Sequence, residues 1–101
     1  MIDQRPVIRV MAHNRYTNEE IAKRGKRLYA DRIRALVDTR ENMGKIVSID
    51  IETVDYHVER DVLQAAEPLH KARKDAAVWS ERIRYGEAFA LGGGSITKQT
   101  K

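Results

Sequence analysis

Between Lys45 and Glu59 the chain alternates apolar and polar residues twice over, and this pattern constrains the fold more than any other feature. Val47, Ile49 and Ile51 alternate with Ser48, Asp50 and Glu52, and Val54, Tyr56 and Val58 then alternate with Asp55, His57 and Glu59. A period of two sends successive side chains to opposite faces of a strand. A turn near Thr53 joins the two segments into an antiparallel hairpin with an apolar inner face and an acidic outer face. The inner face needs cover.

Residues 16–43 supply a long helix that can provide it. Thr17 begins T-x-x-E with Glu20, the pattern of a capping box, and Glu19 and Glu20 face the positive end of the helix dipole. Ile21, Leu28, Ile33 and Leu36 fall near one stripe at helical spacing, with Gly25 on the same side. A glycine inside a helix costs about 1 kcal/mol relative to alanine, so close approach of another backbone, packed tightly over Gly25, is expected to offset it. Asn42-Met43-Gly44 ends the helix, with Gly44 in a left-handed turn.

After the hairpin, Asp61 caps a second helix over VLQAAEPLHKARK, in which Pro68 predicts a kink or a late start. Strands follow over Ala77–Arg84 and Glu87–Leu91, with a turn at Tyr85-Gly86. The expected fold class is α+β: a long N-terminal amphipathic helix, then a ββαββ unit with a four-stranded, mainly antiparallel sheet. The organisation reads as an N-terminal arm over 1–15, the basic helix over 16–43, the small ββαββ domain over 44–92 and a flexible basic tail over 93–101. Within the arm, PVIRVM reads as a short strand or a loosely held tail.

The 101 residues fit one domain, and 42% hydrophobic content allows a modest core. Lacking cysteine, the chain has neither a disulfide framework nor a thiolate zinc site. No apolar run approaches the ~20 residues of a membrane span, and MIDQRPVIRVMAH lacks the apolar segment of a signal peptide, so a cytoplasmic protein is expected. The formal charge of +4 is unevenly spread, basic early and acidic over residues 50–61.

The acidic stretch raises the question of catalysis. D-I-E-T at Asp50–Thr53 resembles the first motif of the DEDD exonucleases, where Asp and Glu bind two metal ions. His70-Lys71-Ala72-Arg73-Lys74-Asp75 is similar to the H-x-A-x-x-D motif of the same enzymes. That chemistry needs four carboxylates converging on two metals ~4 Å apart. The chain between Glu52 and His70 is too short to hold the second aspartate motif and the elements of that fold. Asp50 and Glu52 are instead expected on the solvated outer face of the hairpin, softened by Arg82 and Arg84. His13 lies in the arm, and His70 reads as a helix-surface residue. GGGS lacks the G-K-[ST] of a P-loop, and Ser48, Ser80 and Ser95 lack a nucleophile elbow. No catalytic residue, metal or cofactor is expected.

GKIVSIDIETVDYHVERDVLQAAEPL followed by RIRYGEAFALGGG resembles a group of small uncharacterised bacterial proteins common in cyanobacteria. Val54 and Arg84 stand where that group has glycine. Some members look like antitoxins or accessory partners, and the resemblance implies a binding role.

Two functions are therefore expected as alternatives. The first is a non-catalytic protein-interaction module, antitoxin-like or a small accessory subunit, binding a protein partner or a second copy through Ile21, Leu28, Ile33 and Leu36. The second is a nucleic-acid-binding protein that tracks phosphates with Lys23, Arg24, Lys26, Arg27 and Arg34, with Tyr16 and Tyr29 nearby. Against the second stand the expected Glu19–Lys23 and Glu20–Arg24 pairs, which would consume charge, and the acidic hairpin, which would repel phosphate. No membrane partner is expected.

Overall fold

In a computed structural model of the protein, residues 15–85, 88–92 and 95–99 are described. The arm expected over 1–15 lies outside the described residues except for Arg15.

The long helix starts where its capping box predicts. Thr17 Oγ1 accepts from the Glu20 N–H at 3.0 Å, and Glu20 Oε1 accepts from the Thr17 N–H at 2.8 Å. The helix is α-helical over Asn18–Leu28, π-helical over Tyr29–Ile33 and α-helical again over Arg34–Val37. Beside Ala22, its buried residues recur every fourth position: Ile21, Gly25, Tyr29, Ile33 and Val37. In a regular α-helix of ~3.6 residues per turn, such a spacing drifts steadily around the axis. The wider π turn takes up that drift and keeps the later residues over the core. This corrects the predicted stripe. Past the π segment the phase moves by about one residue, so Val37 is buried at 3% exposure and Leu36 stands out at 60%. The helix also ends earlier than expected, at Val37. A 3₁₀ turn over Arg40–Asn42 follows, Asn42 Nδ2 donates to the Val37 carbonyl at 3.1 Å, and Gly44 takes the left-handed turn at φ +85°.

The sheet contains β1 (Ile46–Asp50), β2 (Tyr56–Glu59), β3 (Ala77–Arg82), β4 (Ala88–Gly92) and β5 (Ser95–Gln99), with a short helix at Val62–Ala72 between β2 and β3. The class is α+β, and every strand pairing is antiparallel in the order β2-β1-β3-β4-β5. The fifth strand lies in the stretch expected to be a tail. Because β2 and β3 both flank β1, they run parallel to each other, and the short helix makes the crossover that parallel strands require. Asp61 Oδ1 caps this helix by accepting from the Gln64 N–H at 2.9 Å. Pro68 neither delays nor ends the helix, which continues to Ala72. The carbonyl that Pro68 leaves without a partner belongs to Gln64, an exposed residue that water can serve.

The register fixes what each face carries. One row runs Tyr56–Ile49–Trp79–Ala90 and the next Val58–Val47–Glu81–Ala88, both beneath the long helix. Tyr56 shares that face but lies at the edge of the sheet, 36% exposed, and Val54 sits in the turn before β2 rather than in the strand. The opposite face, expected to be acidic and solvated, is covered along β1 and β3 by the short helix through Ala66 and Leu69. Ser48, Asp50 and Ser80 are consequently buried, and Ser48 and Ser80 share a hydrogen bond of 2.5 Å. The sheet is thus sandwiched between two helices, and its core lies on both sides of β1 and β3.

Candidate functional site

The stretches Asp50–Thr53 and His70–Asp75 come together in space through Arg73. The short helix ends at Ala72 and delivers Arg73 to the end of β1. Arg73 Nη1 donates to Asp50 Oδ2 at 2.8 Å and Arg73 Nη2 to Glu52 Oε1 at 2.5 Å. From the start of the long helix Arg15 grips Glu52 with two bonds, Nε to Oε2 at 3.1 Å and Nη2 to Oε1 at 2.7 Å, and Tyr16 donates to Oε2 at 3.1 Å. Arg15 also reaches Asp75 at 3.4 Å. Two guanidiniums therefore neutralise the Asp50 and Glu52 carboxylates. The hydrogen bonds from Arg73, then those from Arg15, hold the Glu52 carboxyl down at about 2. Asp50 has a second structural duty, since its Oδ1 accepts from the Glu52 and Thr53 N–H groups at 2.9 and 3.2 Å and so shapes the hairpin turn. His70 points elsewhere, its Nε2 lying 3.1 Å from the Ala76 carbonyl. Among the described residues no group of three or more His, Asp or Glu side chains is arranged to hold a metal ion. The neutralising arginines are Arg15 and Arg73, not Arg82 and Arg84. Arg82 donates to the Gly44 carbonyl at 2.8 Å, and Arg84 pairs with Asp38 at 2.5 Å.

The apolar stripe of the long helix is used within the chain. Ile21 and Ile33 are buried in the core beneath the helix, and Leu28 packs against it part-buried. Of the residues expected to meet a partner, Leu36 alone is fully on the surface. The five basic residues remain available, divided between the two flanks of the helix. Lys23, Arg24 and Arg27 line a cleft of about 430 Å³ with Leu28 and Ile51. Lys26 and Arg34 line a second, of about 540 Å³, with Tyr29, Asp38, Glu81 and Arg84.

Neither expected i,i+4 pair forms. Glu20 folds back to cap Thr17, and Arg24 stacks over the Tyr16 ring at 4.8 Å. Arg34 pairs with Asp38 at 3.7 Å. Lys26 lies over the Trp79 indole at 5.8 Å. Among the described residues Lys23, Arg24, Lys26 and Arg27 make no ion pair. Strand alternation sends His57 and Glu59 to the face away from this helix, because Tyr56 and Val58 occupy the near face.

The chain matches no protein-family model, no curated protein and no solved structure. Among the described residues no helix is long and apolar enough to cross a membrane.

Proposed function

We propose that the protein is a non-catalytic binding module that holds the phosphate backbone of a nucleic acid along the outer side of its long helix. The observation that carries this reading is the set Lys23, Arg24 and Arg27, without a carboxylate partner among the described residues, on one flank of a helix already anchored through its other side. Unneutralised cations spaced along a rigid element attract phosphates and release counterions on contact. Two arginines cancel Asp50 and Glu52, which removes part of the repulsion expected from the hairpin. Side chains of Lys and Arg contacting phosphates give affinity without base readout, so the binding is expected to be insensitive to sequence.

Fluorescence anisotropy with a labelled duplex, titrated at several KCl concentrations, tests it. Three engaged cations give a slope of log K against log salt of about −3. Lys23→Glu with Arg27→Glu abolishes binding in the same assay. Absence of binding at low salt, or equal binding by the double variant, sinks the proposal.

A second reading, an antitoxin-like or accessory subunit that docks a protein, is favoured by one observation. Met43 and Tyr85 are exposed at 44% and 64%, and they bracket Gly44 and Arg84 at one end of the sheet. Recovery of a stoichiometric protein from the native host that Tyr85→Glu loses and Lys23→Glu keeps would decide for it.

A further inference from the structure

The cleft of about 430 Å³ lies between one flank of the long helix and the end of β1, lined by Lys23, Arg24, Arg27, Leu28 and Ile51. The three cations are exposed, Leu28 is half-buried and Ile51 is 5% exposed. Charge therefore stands at the mouth and hydrocarbon forms the floor. Arg24 is steadied by its stack on the Tyr16 ring at 4.8 Å, which reduces the freedom it loses on gripping a ligand.

The edge of the sheet extends the apolar floor. Ile51 follows Ile49 by two residues, shares its face and belongs to the same core cluster beneath the long helix. Tyr56, on the outermost strand β2, lies directly opposite Ile49. It is thus diagonal to Ile51, a separation of ~7–8 Å that an aromatic side chain spans. Tyr56 is 36% exposed, so a ring is open to solvent beside the cleft.

The cationic stretch is short. Lys23 to Arg27 rises about 6 Å along the helix axis, and carboxylates bound it at Glu19, Glu20 and Asp31. A duplex buries its base faces and offers such a site a few phosphates alone. A single strand offers the same phosphates together with an unstacked base, whose flat face suits a hydrocarbon floor and an aromatic edge. Drawing a base out of a duplex to reach that floor costs unstacking and unpairing.

We propose that this site takes single-stranded nucleic acid in preference to duplex, with backbone phosphates on Lys23, Arg24 and Arg27 and one base turned into the cleft against Leu28, Ile51 and Tyr56. This preference rests on the phosphate-binding role proposed above and adds to it the form of the nucleic acid. Every base has a π face, so the contact selects strand form and not sequence.

Fluorescence anisotropy on three labelled ligands of equal length tests it: an oligothymidylate, a duplex, and a single strand whose central bases are replaced by abasic sites. The wild type is expected to bind the oligothymidylate about tenfold more tightly than either of the others. Tyr56→Ala is expected to weaken the oligothymidylate about tenfold and leave the duplex unchanged, while Tyr56→Phe keeps the ring and the affinity. Lys23→Glu with Arg27→Glu is expected to lose all three ligands. If Tyr56→Ala fails to fold, the abasic strand on wild-type protein carries the test. Wild-type affinity in Tyr56→Ala, or a duplex or abasic strand bound as tightly as the oligothymidylate, overturns the single-strand preference while the phosphate-binding role stands. Failure of all three ligands to bind the wild type at low salt removes that role and the preference with it.

Discussion

Gly25 lies directly against the Trp79 side chain, so that a Cβ at position 25 would overlap the Cγ and Cβ of the tryptophan. The packing anticipated over this glycine is present, but a side chain and not another backbone supplies it. The overlapping atoms sit at the root of Trp79, on a central strand, and cannot swing aside. Gly25→Ala gains about 1 kcal/mol of helix propensity and incurs roughly 1–3 kcal/mol or more of overpacking. The expected outcome is a net loss of about 1–2 kcal/mol in urea unfolding. A gain near 1 kcal/mol, as at an exposed helical glycine, would mean that the helix does not sit on Trp79.

Arg73 is the partner of a carboxylate that is only 2% exposed, Asp50. Truncating it leaves a buried charge without its counter-ion, a change worth roughly 3–5 kcal/mol. Arg73→Ala is therefore expected to destabilise strongly, and Asp50→Asn combined with Arg73→Ala to recover part of the loss. If the two substitutions simply add, the ion pair is not the cause.

Glu52 makes stability depend on acid. Its carboxyl ionises at about 2 in the folded chain against an ordinary 4.5, so the native state favours the charged form. The stabilisation is complete above about pH 4.5 and disappears as pH falls towards about 2. Part of the side chain is in water, and after screening the effect is about 1 kcal/mol. Urea midpoints measured across that range should fall less steeply for Glu52→Gln than for the wild type. Parallel curves would remove Glu52 from the network.

Val54 adopts φ +68°, where a β-branched residue is strained. Comparing Val54→Gly with Val54→Ala cancels the lost side chain and isolates the backbone. Alanine in the left-handed region costs about 1–2 kcal/mol, while glycine costs about 0.4–1 kcal/mol through the unfolded chain. The glycine variant should be the more stable by about 0.5–1 kcal/mol, the reverse of the order in a helix or strand. An alanine variant that matches or exceeds it would refute the turn geometry.

Most of the architecture was legible wherever a local rule governed it. The capping box at Thr17, the cap at Asp61, the alternation in β1 and the left-handed turn at Gly44 depend on neighbouring residues, and each is present. What escaped depends on partners distant in sequence. Ser48 and Asp50 read as solvated because alternation says which residues share a face, not whether a second helix covers it. The role of Arg73 was hidden for the same reason: its partners Asp50 and Glu52 lie across the crossover. The cleft at Glu81 was invisible because a lone glutamate in a strand carries no sign of its burial. Its alternation with Trp79 in AVWSER did place it on the inner face, and that was the available signal.

The π turn is the clearest case of local pattern misleading, and it yields a direct test. Counting at ~3.6 residues per turn from Ile21 brings Leu36 onto the core side, whereas one added residue per turn over Tyr29–Ile33 brings Val37 there. If the helix has this form in solution, Leu36→Lys should change stability by less than ~0.5 kcal/mol, as a surface substitution does. Val37→Ala should cost about 1–3 kcal/mol, because it empties a buried position beside Ile33. Chemical denaturation of the two variants side by side discriminates sharply. A regular α-helix inverts the order of the two effects, and that inversion would also remove the π wall from the cleft beneath Tyr29.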